Sequence, residues 1–205
     1  MRHATKLGIT GGIGSGKSYV ARLLKQHFGI PVYDSDREAR RLMTTSASIR
    51  QSLTALIGAE AYRADGLLDT AVVARYLFAS AEHAQRVNAI VHPAVKDDFL
   101  RWAGQTQGLV AFESAIVLEA GFRYAVDSLL VVHAHTALRV QRVVQRDGFD
   151  EQHVRQRMAQ QIDDATRLAA ADYLIYNDGR PVLPQLQIII HKIQNVSYLI
   201  QTHHA

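Results

Sequence analysis

The sequence predicts an α/β protein: a parallel sheet of about five strands with helices on both faces. Three observations lead there. Short apolar runs of strand length alternate with longer stretches of helical periodicity. The first of those runs opens directly into the glycine-rich segment Gly11-Gly12-Ile13-Gly14-Ser15-Gly16-Lys17-Ser18, and an amphipathic stretch follows it. Apolar residues make up 48% of the 205 positions, enough for a sizeable core, and with no cysteine that core cannot lean on disulfides.

Taken in chain order, Lys6-Leu7-Gly8-Ile9-Thr10 reads as a buried strand, and Val20, Leu23, Leu24 and Phe28 as one face of a helix stopped by Gly29 and Pro31. Ile30-Pro31-Val32-Tyr33 is a second strand, ending in Asp34-Ser35-Asp36. Residues 37–105 are patterned almost wholly as helix (Leu53, Leu56, Ile57; Val72, Val73, Tyr76, Leu77; Val87, Ile90, Val91), with breaks expected near Asp65-Gly66 and His92-Pro93. This block reads as an insertion over one sheet edge, suited to a lid or to acceptor binding. Strands return at Leu109-Val110-Ala111-Phe112, Leu129-Leu130-Val131-Val132 and Tyr173-Leu174-Ile175-Tyr176. Helices are expected over 136–146, 150–162 and 182–196. The whole, 1–205, is read as a single domain with a helical acceptor region at 37–105 and a short lid at 140–160.

The glycine-rich run fits G-x-x-x-x-G-K-[ST], and its flanks supply the required strand and helix. Successive N–H groups from Gly12, Ile13, Gly14, Ser15, Gly16, Lys17, Ser18 and Tyr19 can surround a polyphosphate at the positive end of the helix dipole. Lys17 reaches the outer phosphates, and the Ser18 hydroxyl is placed to ligate Mg²⁺. Asp34 and Asp36 stand just past the second strand, at the sheet edge where ligands bind in such folds. Phosphoryl transfer needs a group that orients the acceptor hydroxyl and takes its proton late, and Asp36 is assigned that role. Asp34 or Ser35 can equally cap the following helix, and the two readings are compatible.

Arg139, Arg142 and Arg146 fall on one helical stripe, with Arg155 and Arg157 on the next helix beyond Asp147-Gly148. Any one of these arginines reads as an ordinary solvated side chain. Arg142 and Arg146 together are read as lid groups that stabilise the charge in transfer. Glu113 ends the third apolar strand, either as an acid holding Mg²⁺ through water or as a helix cap. His92, held extended before Pro93, is a donor to an acceptor phosphate or part of a structural turn. The ten histidines show no metal-ligand spacing, and His203-His204 is expected to be a disordered terminal pair.

A net charge of +4 suits phosphorylated ligands, whereas no block of Lys and Arg interleaved with aromatics points to nucleic acid. No apolar window is long enough to span a bilayer, and Met1-Arg2-His3-Ala4-Thr5 lacks the apolar stretch of a secretory signal, so the cytoplasm is the expected compartment. The exposed faces give no usable sign of an interface, so the sequence leaves the oligomeric state open, with a monomer favoured.

With these residues in hand, the chain resembles the dephospho-coenzyme A kinase family over nearly its whole length. The resemblance rests on Gly8-Ile9-Thr10-Gly11-Gly12-Ile13-Gly14-Ser15-Gly16-Lys17-Ser18, then Asp34-Ser35-Asp36 with Ala39-Arg40. Asp65-Gly66-Leu67-Leu68, Asn88-Ala89-Ile90-Val91-His92-Pro93, Gln145-Arg146-Asp147-Gly148, and Ala171-Asp172 leading to Asn177-Asp178-Gly179 follow in the same order. It implies a P-loop kinase fold and transfer of the ATP γ-phosphoryl group to the 3′-hydroxyl of dephospho-CoA. It also implies Asp36 as base, Arg142 and Arg146 as lid arginines, Asn177 near adenine, and Asp36, Arg40 and His92 around the acceptor. The chain departs from the family at Tyr19 (usually threonine), at Met43-Thr44-Thr45-Ser46 (no Pro-Gly), at Asp69-Thr70 (usually arginine-bearing) and at Glu113-Ser114-Ala115 (often Asp-x-Pro). The alternative is a P-loop kinase for another small metabolite, such as a nucleoside monophosphate or sugar acid. A GTPase-type switch is disfavoured, because neither N-K-x-D nor a suitably spaced D-x-x-G occurs.

Overall fold

The computed structural model describes residues 4–202, with side chains described through Asn195; His203 and His204 lie outside the described residues. Its centre is β1 (Thr5–Thr10), which pairs in parallel with β3 (Leu109–Glu113) on one side and β4 (Ser128–His133) on the other. β2 (Val32–Asp34) and β5 (Tyr173–Tyr176) complete a five-stranded sheet of order β2-β3-β1-β4-β5. The chain crosses from β1 to β2 in one direction and from β3 to β4 in the other. The loops after β1 and β3 therefore diverge and open a crevice at the strands' carboxyl ends.

Both faces of this sheet are covered, which is why β3 and β4 read as nearly unbroken apolar runs. On one face, Val20, Leu23 and Leu24 of α1 (Lys17–Phe28) pack with Leu186, Ile189, Ile190 and Ile193 of α9 (Val182–Thr202) over Leu7, Ile9, Leu130 and Ile175. Elsewhere the core is aromatic: Tyr33 stacks on Phe112 at 5.8 Å, and Phe122 meets Phe112 edge-on at 5.0 Å. After β4 come α6 (Thr136–Asp147), α7 (Glu151–Ala159) and α8 (Asp164–Ala169). Val140 and Val143 of α6 bury themselves against Val154 of α7, giving that hairpin a small core of its own.

Residues Asp34–Trp102 form a separate compact unit. It contains α2 (Ser35–Thr45), α3 (Ala47–Ile57), α4 (Thr70–Ala79) and most of α5 (Ala81–Gly104). Polar side chains set the helix starts: Asp34 Oδ1 accepts from the N–H groups of Asp36 and Arg37, and Asp69 Oδ1 from those of Ala71 and Val72. Inside the unit, Leu42, Leu53, Val87, Val91, Val95 and Phe99 are buried, and Arg41 joins Glu38 to Asp98.

Two expectations are corrected. His92-Pro93 does not break the chain; Pro93 lies inside α5. An interior proline forfeits one ladder bond and crowds the carbonyl four residues back, but Val87, Val91, Val95 and Phe99 recur every four residues and bury one continuous stripe across it. The helix expected over 150–162 ends at Ala159, and a new one starts at Asp164, capped by Asp163 accepting from the Thr166 N–H at 2.7 Å. Local capping overrode a periodicity that ran on.

Candidate active site

The loop between β1 and α1 is shaped by its glycines. Gly14 and Gly16 have φ of 78° and 94°, left-handed values that cost a side-chain-bearing residue about 1–2 kcal/mol. Gly16 is also the N-cap of α1, and a Cβ there would strike the Asn177 amide. The opening N–H groups of α1 have no intrahelical partner and, with the helix dipole, favour an anion at this point.

Three successive loop carbonyls are turned towards donors elsewhere in the same unit. Ile13 O accepts from Arg139 Nε at 2.9 Å, Gly14 O from Arg142 Nη1 at 3.4 Å, and Ser15 O from Asn177 Nδ2 at 2.9 Å. Asn177, expected near adenine, thus directs its side-chain amide to the loop backbone, and its own carbonyl accepts from Arg142 Nη2 at 2.9 Å. Ile13 N–H donates to Gln161 Oε1 at 2.8 Å.

Beside the loop lies a cavity of about 270 Å³ lined by Lys17, Ser18, Tyr19, Arg22, Arg142 and Arg146, among others. Four of those side chains are cationic, which fits a polyphosphate. Arg22 was not singled out from the sequence; it lies one helical turn after Ser18 on α1, and its guanidinium stands 5.6 Å from the centroid of the exposed Tyr19 ring. The three-arginine stripe of α6 does not act as one surface. Arg139 is buried and paired with Asp164, Arg142 holds the carbonyls of Gly14 and Asn177, and the exposed Arg146 is forked onto Asp147 at 2.7 and 2.8 Å. Arg155 pairs with Glu151 within α7, and Arg157 faces the ring of Phe149.

Glu113 ends β3 opposite Ile9 of β1. It is buried, and its Oε1 accepts from the Ser18 hydroxyl at 2.6 Å. The hydroxyl and carboxylate are hard oxygen donors of the kind Mg²⁺ takes, so the pair fits that cation. Among the described residues no group of three or more His, Cys, Asp and Glu could hold a metal ion by itself. Any ion at Ser18 and Glu113 must draw its remaining ligands from substrate phosphates and water.

In the Asp34–Trp102 unit, Asp34 is the cap of α2, which leaves the exposed Asp36 carboxylate to other work. Arg40, one turn further along α2, is also exposed. His92 sits half-buried on α5, and burial pushes its imidazole below the usual range. Sequence reasoning missed Gln161, Asp164 and Arg167; only the Asp163-x-x-Thr166 capping pattern marks where their segment turns.

A Walker A loop leaving the central strand of a parallel sheet, with an acid from the neighbouring strand bonded to its serine, defines a P-loop kinase. The dephospho-CoA kinase family profile matches residues 5–182, and the chain belongs to that family. A Bacteroides fragilis protein named dephospho-CoA kinase is 42% identical over 200 residues, 96% of this chain and 97% of the relative. A crystal structure from Thermus thermophilus covers 98% of both chains at 28% identity with a TM-score of 0.77. Dephospho-CoA kinase from Campylobacter jejuni, at 18% identity, shares the fold with a TM-score of 0.69 over 94% of this chain and 98% of its own. Among the described residues no helix is long and apolar enough to cross a membrane.

Proposed function

We propose that this protein transfers the γ-phosphoryl group of ATP to the 3′-hydroxyl of dephospho-CoA, giving coenzyme A and ADP. Its membership of the dephospho-CoA kinase family, together with the Ser18–Glu113 pair beside an intact phosphate loop, carries this reading. In the reaction the bond from the ribose oxygen to the γ-phosphorus forms as the bond from that phosphorus to the β,γ-bridging oxygen breaks.

The chain's part is positioning and charge. N–H groups of the loop and the Lys17 ammonium hold the β- and γ-phosphates. Arg142 and Arg146 offset the charge that builds on the transferring group. Ser18 and Glu113 would hold Mg²⁺, which would supply neutralisation of the phosphate charge. The Ser18 hydroxyl offers a lone pair outwards while its O–H continues to donate to Glu113. Asp36 orients the acceptor hydroxyl and accepts its proton late, so little basicity is required of it. Arg40 and His92 belong to the acceptor side, and residues 140–160 to a lid that excludes water. Because both substrates are intracellular metabolites, we place the enzyme in the cytoplasm.

The direct test follows ADP release on incubation with ATP, Mg²⁺ and dephospho-CoA. Turnover is expected. ADP release with a nucleoside monophosphate or a sugar acid, and none with dephospho-CoA, would reassign the acceptor.

A further inference from the structure

We propose that Arg139, braced by Asp164 and seconded by Gln161, is a positioning residue for the phosphate loop, aiming the Gly14 N–H at the nucleotide. The proposal rests on the nucleotide reading of that loop given above.

The peptide between Ile13 and Gly14 carries the Ile13 carbonyl and the Gly14 N–H on opposite edges of one rigid plane. Holding the carbonyl on one side therefore aims the N–H to the other. Gly14, at φ 78°, has little torsional resistance of its own to a rotation of this peptide. A rotated plane would turn a carbonyl oxygen towards the phosphates. Something outside the loop has to hold it, and Arg139 is built to do so.

Only 5% of Arg139 is exposed. Its Nε donates to Ile13 O at 2.9 Å, while Nη1 donates to both carboxylate oxygens of Asp164, at 2.9 and 2.8 Å. The planar fork meets carbonyl and carboxylate at once, which a lysine ammonium cannot do in the same geometry. Its guanidinium fills the space beneath Gly12, where a Cβ would overlap it, and the Arg139 main chain abuts Gly14, where a Cβ would lie 2.5 Å from its carbonyl oxygen. Arg139 thereby shapes the loop from below as well as bonding it.

The brace continues outwards. Asp164 Oδ1 also accepts from Arg167 Nη1 at 2.6 Å, and Arg167, 3% exposed, donates through Nη2 to Ile162 O at 2.9 Å. On the other side of Ile13, Gln161 Oε1 takes the residue's N–H at 2.8 Å. The Ile13 side chain packs on the Val140, Val143 and Val154 cluster of α6 and α7. One loop residue is thus gripped by its carbonyl, its N–H and its side chain. Gln161, and the Asp164 that braces Arg139, both come from the residues that follow α7. A buried cation costs stability that an apolar side chain would not, so a guanidinium here is explained by the loop carbonyl it aims rather than by packing.

The test measures MgATP dissociation constants by calorimetry, kinetics in both substrates, and melting temperature for wild type, R139Q, R139K and Q161A. R139Q is expected to weaken MgATP binding by about tenfold, the worth of one hydrogen bond from a charged donor, and to lower kcat, while KM for dephospho-CoA stays within about twofold. R139K is expected not to restore ATP affinity although it keeps the charge. Q161A, which frees the other side of Ile13, should weaken MgATP by a smaller factor, about threefold, in a fully folded protein. A purely structural role would lower the melting temperature of R139Q and leave its MgATP affinity unchanged; that result overturns the proposal. Should R139Q fail to fold, Q161A decides, and wild-type MgATP affinity in Q161A overturns it. Wild type that binds no MgATP would instead refute the nucleotide reading itself.

Discussion

Lys17 and Asp36 are both short steps from the ends of parallel strands, yet they are expected to fail differently when altered. Lys17 is the first residue of α1 and lines the cationic cavity. In the proposed reaction its ammonium meets phosphate charge in ground state and transition state alike. Lys17→Ala should therefore weaken MgATP binding and lower kcat/KM by about 10²–10³-fold or more, as loss of one transition-state donor does; near wild-type kinetics would remove Lys17 from the site. Asp36 faces only the acceptor in the proposed reaction. The Asp36→Asn variant should lose kcat by about tenfold to a thousandfold, with KM for ATP nearly unchanged. Capping does not confuse this result, because Asp34 caps α2. An unaltered kcat would make Asp36 a bystander.

The phosphate loop works as an element because its backbone geometry is imposed from both inside and outside. From inside, Gly16 at φ 94° starts α1. From outside, Arg139, Arg142 and Asn177 take three carbonyls in succession. Gly16→Ala meets both constraints at once, since alanine resists the left-handed region by about 1–2 kcal/mol and its Cβ would displace Asn177. Thermal melting with and without MgATP should show a lowered melting temperature and a lost ATP-induced rise. Retention of that rise would mean that the loop tolerates a different path. The loop was legible in the sequence because its motif is local. Its supports were not: Arg139 and Ile13 stand 126 positions apart, and Asn177 and Ser15 stand 162 apart. Periodicity could group Arg139, Arg142 and Arg146 on one stripe, but helical spacing cannot say that one is buried, one bridges carbonyls and one pairs with its neighbour.

At the scale of the molecule, pH acts through groups whose titration differs between folded and unfolded chains. Burial holds the His92 imidazole below its ordinary value of 6.5. As pH falls through 6.5 the unfolded chain binds a proton that the folded chain resists, so stability declines on acidification and recovers above that value. Asp163 works further down: the N–H and hydroxyl of Thr166 keep its carboxylate below the ordinary 3.8, so its stabilising contribution is present above 3.8 and disappears as pH falls through the folded value. Melting temperature followed from about pH 8 to pH 5 should fall in wild type and fall less steeply in His92→Gln. Parallel curves for the two proteins would rule out His92 as the source.

The sequence by itself determined the α/β alternation, the five strands, the helical composition of residues 37–105, the phosphate loop and the family. These depend on neighbours in the chain: apolar runs, glycine and proline punctuation, and a contiguous motif. Only the tertiary structure decided that α5 runs through Pro93, because buried valines a turn apart outweigh one lost backbone bond. It alone showed that Glu113 accepts from Ser18 rather than capping a helix, since parallel pairing of β1 with β3 sets that register. It alone showed that the Asn177 side-chain amide supports the loop through Ser15 O. The Glu113 and Asn177 outcomes follow from groups far apart in sequence meeting at one donor or acceptor, and the α5 outcome from a stripe whose burial no local pattern reveals.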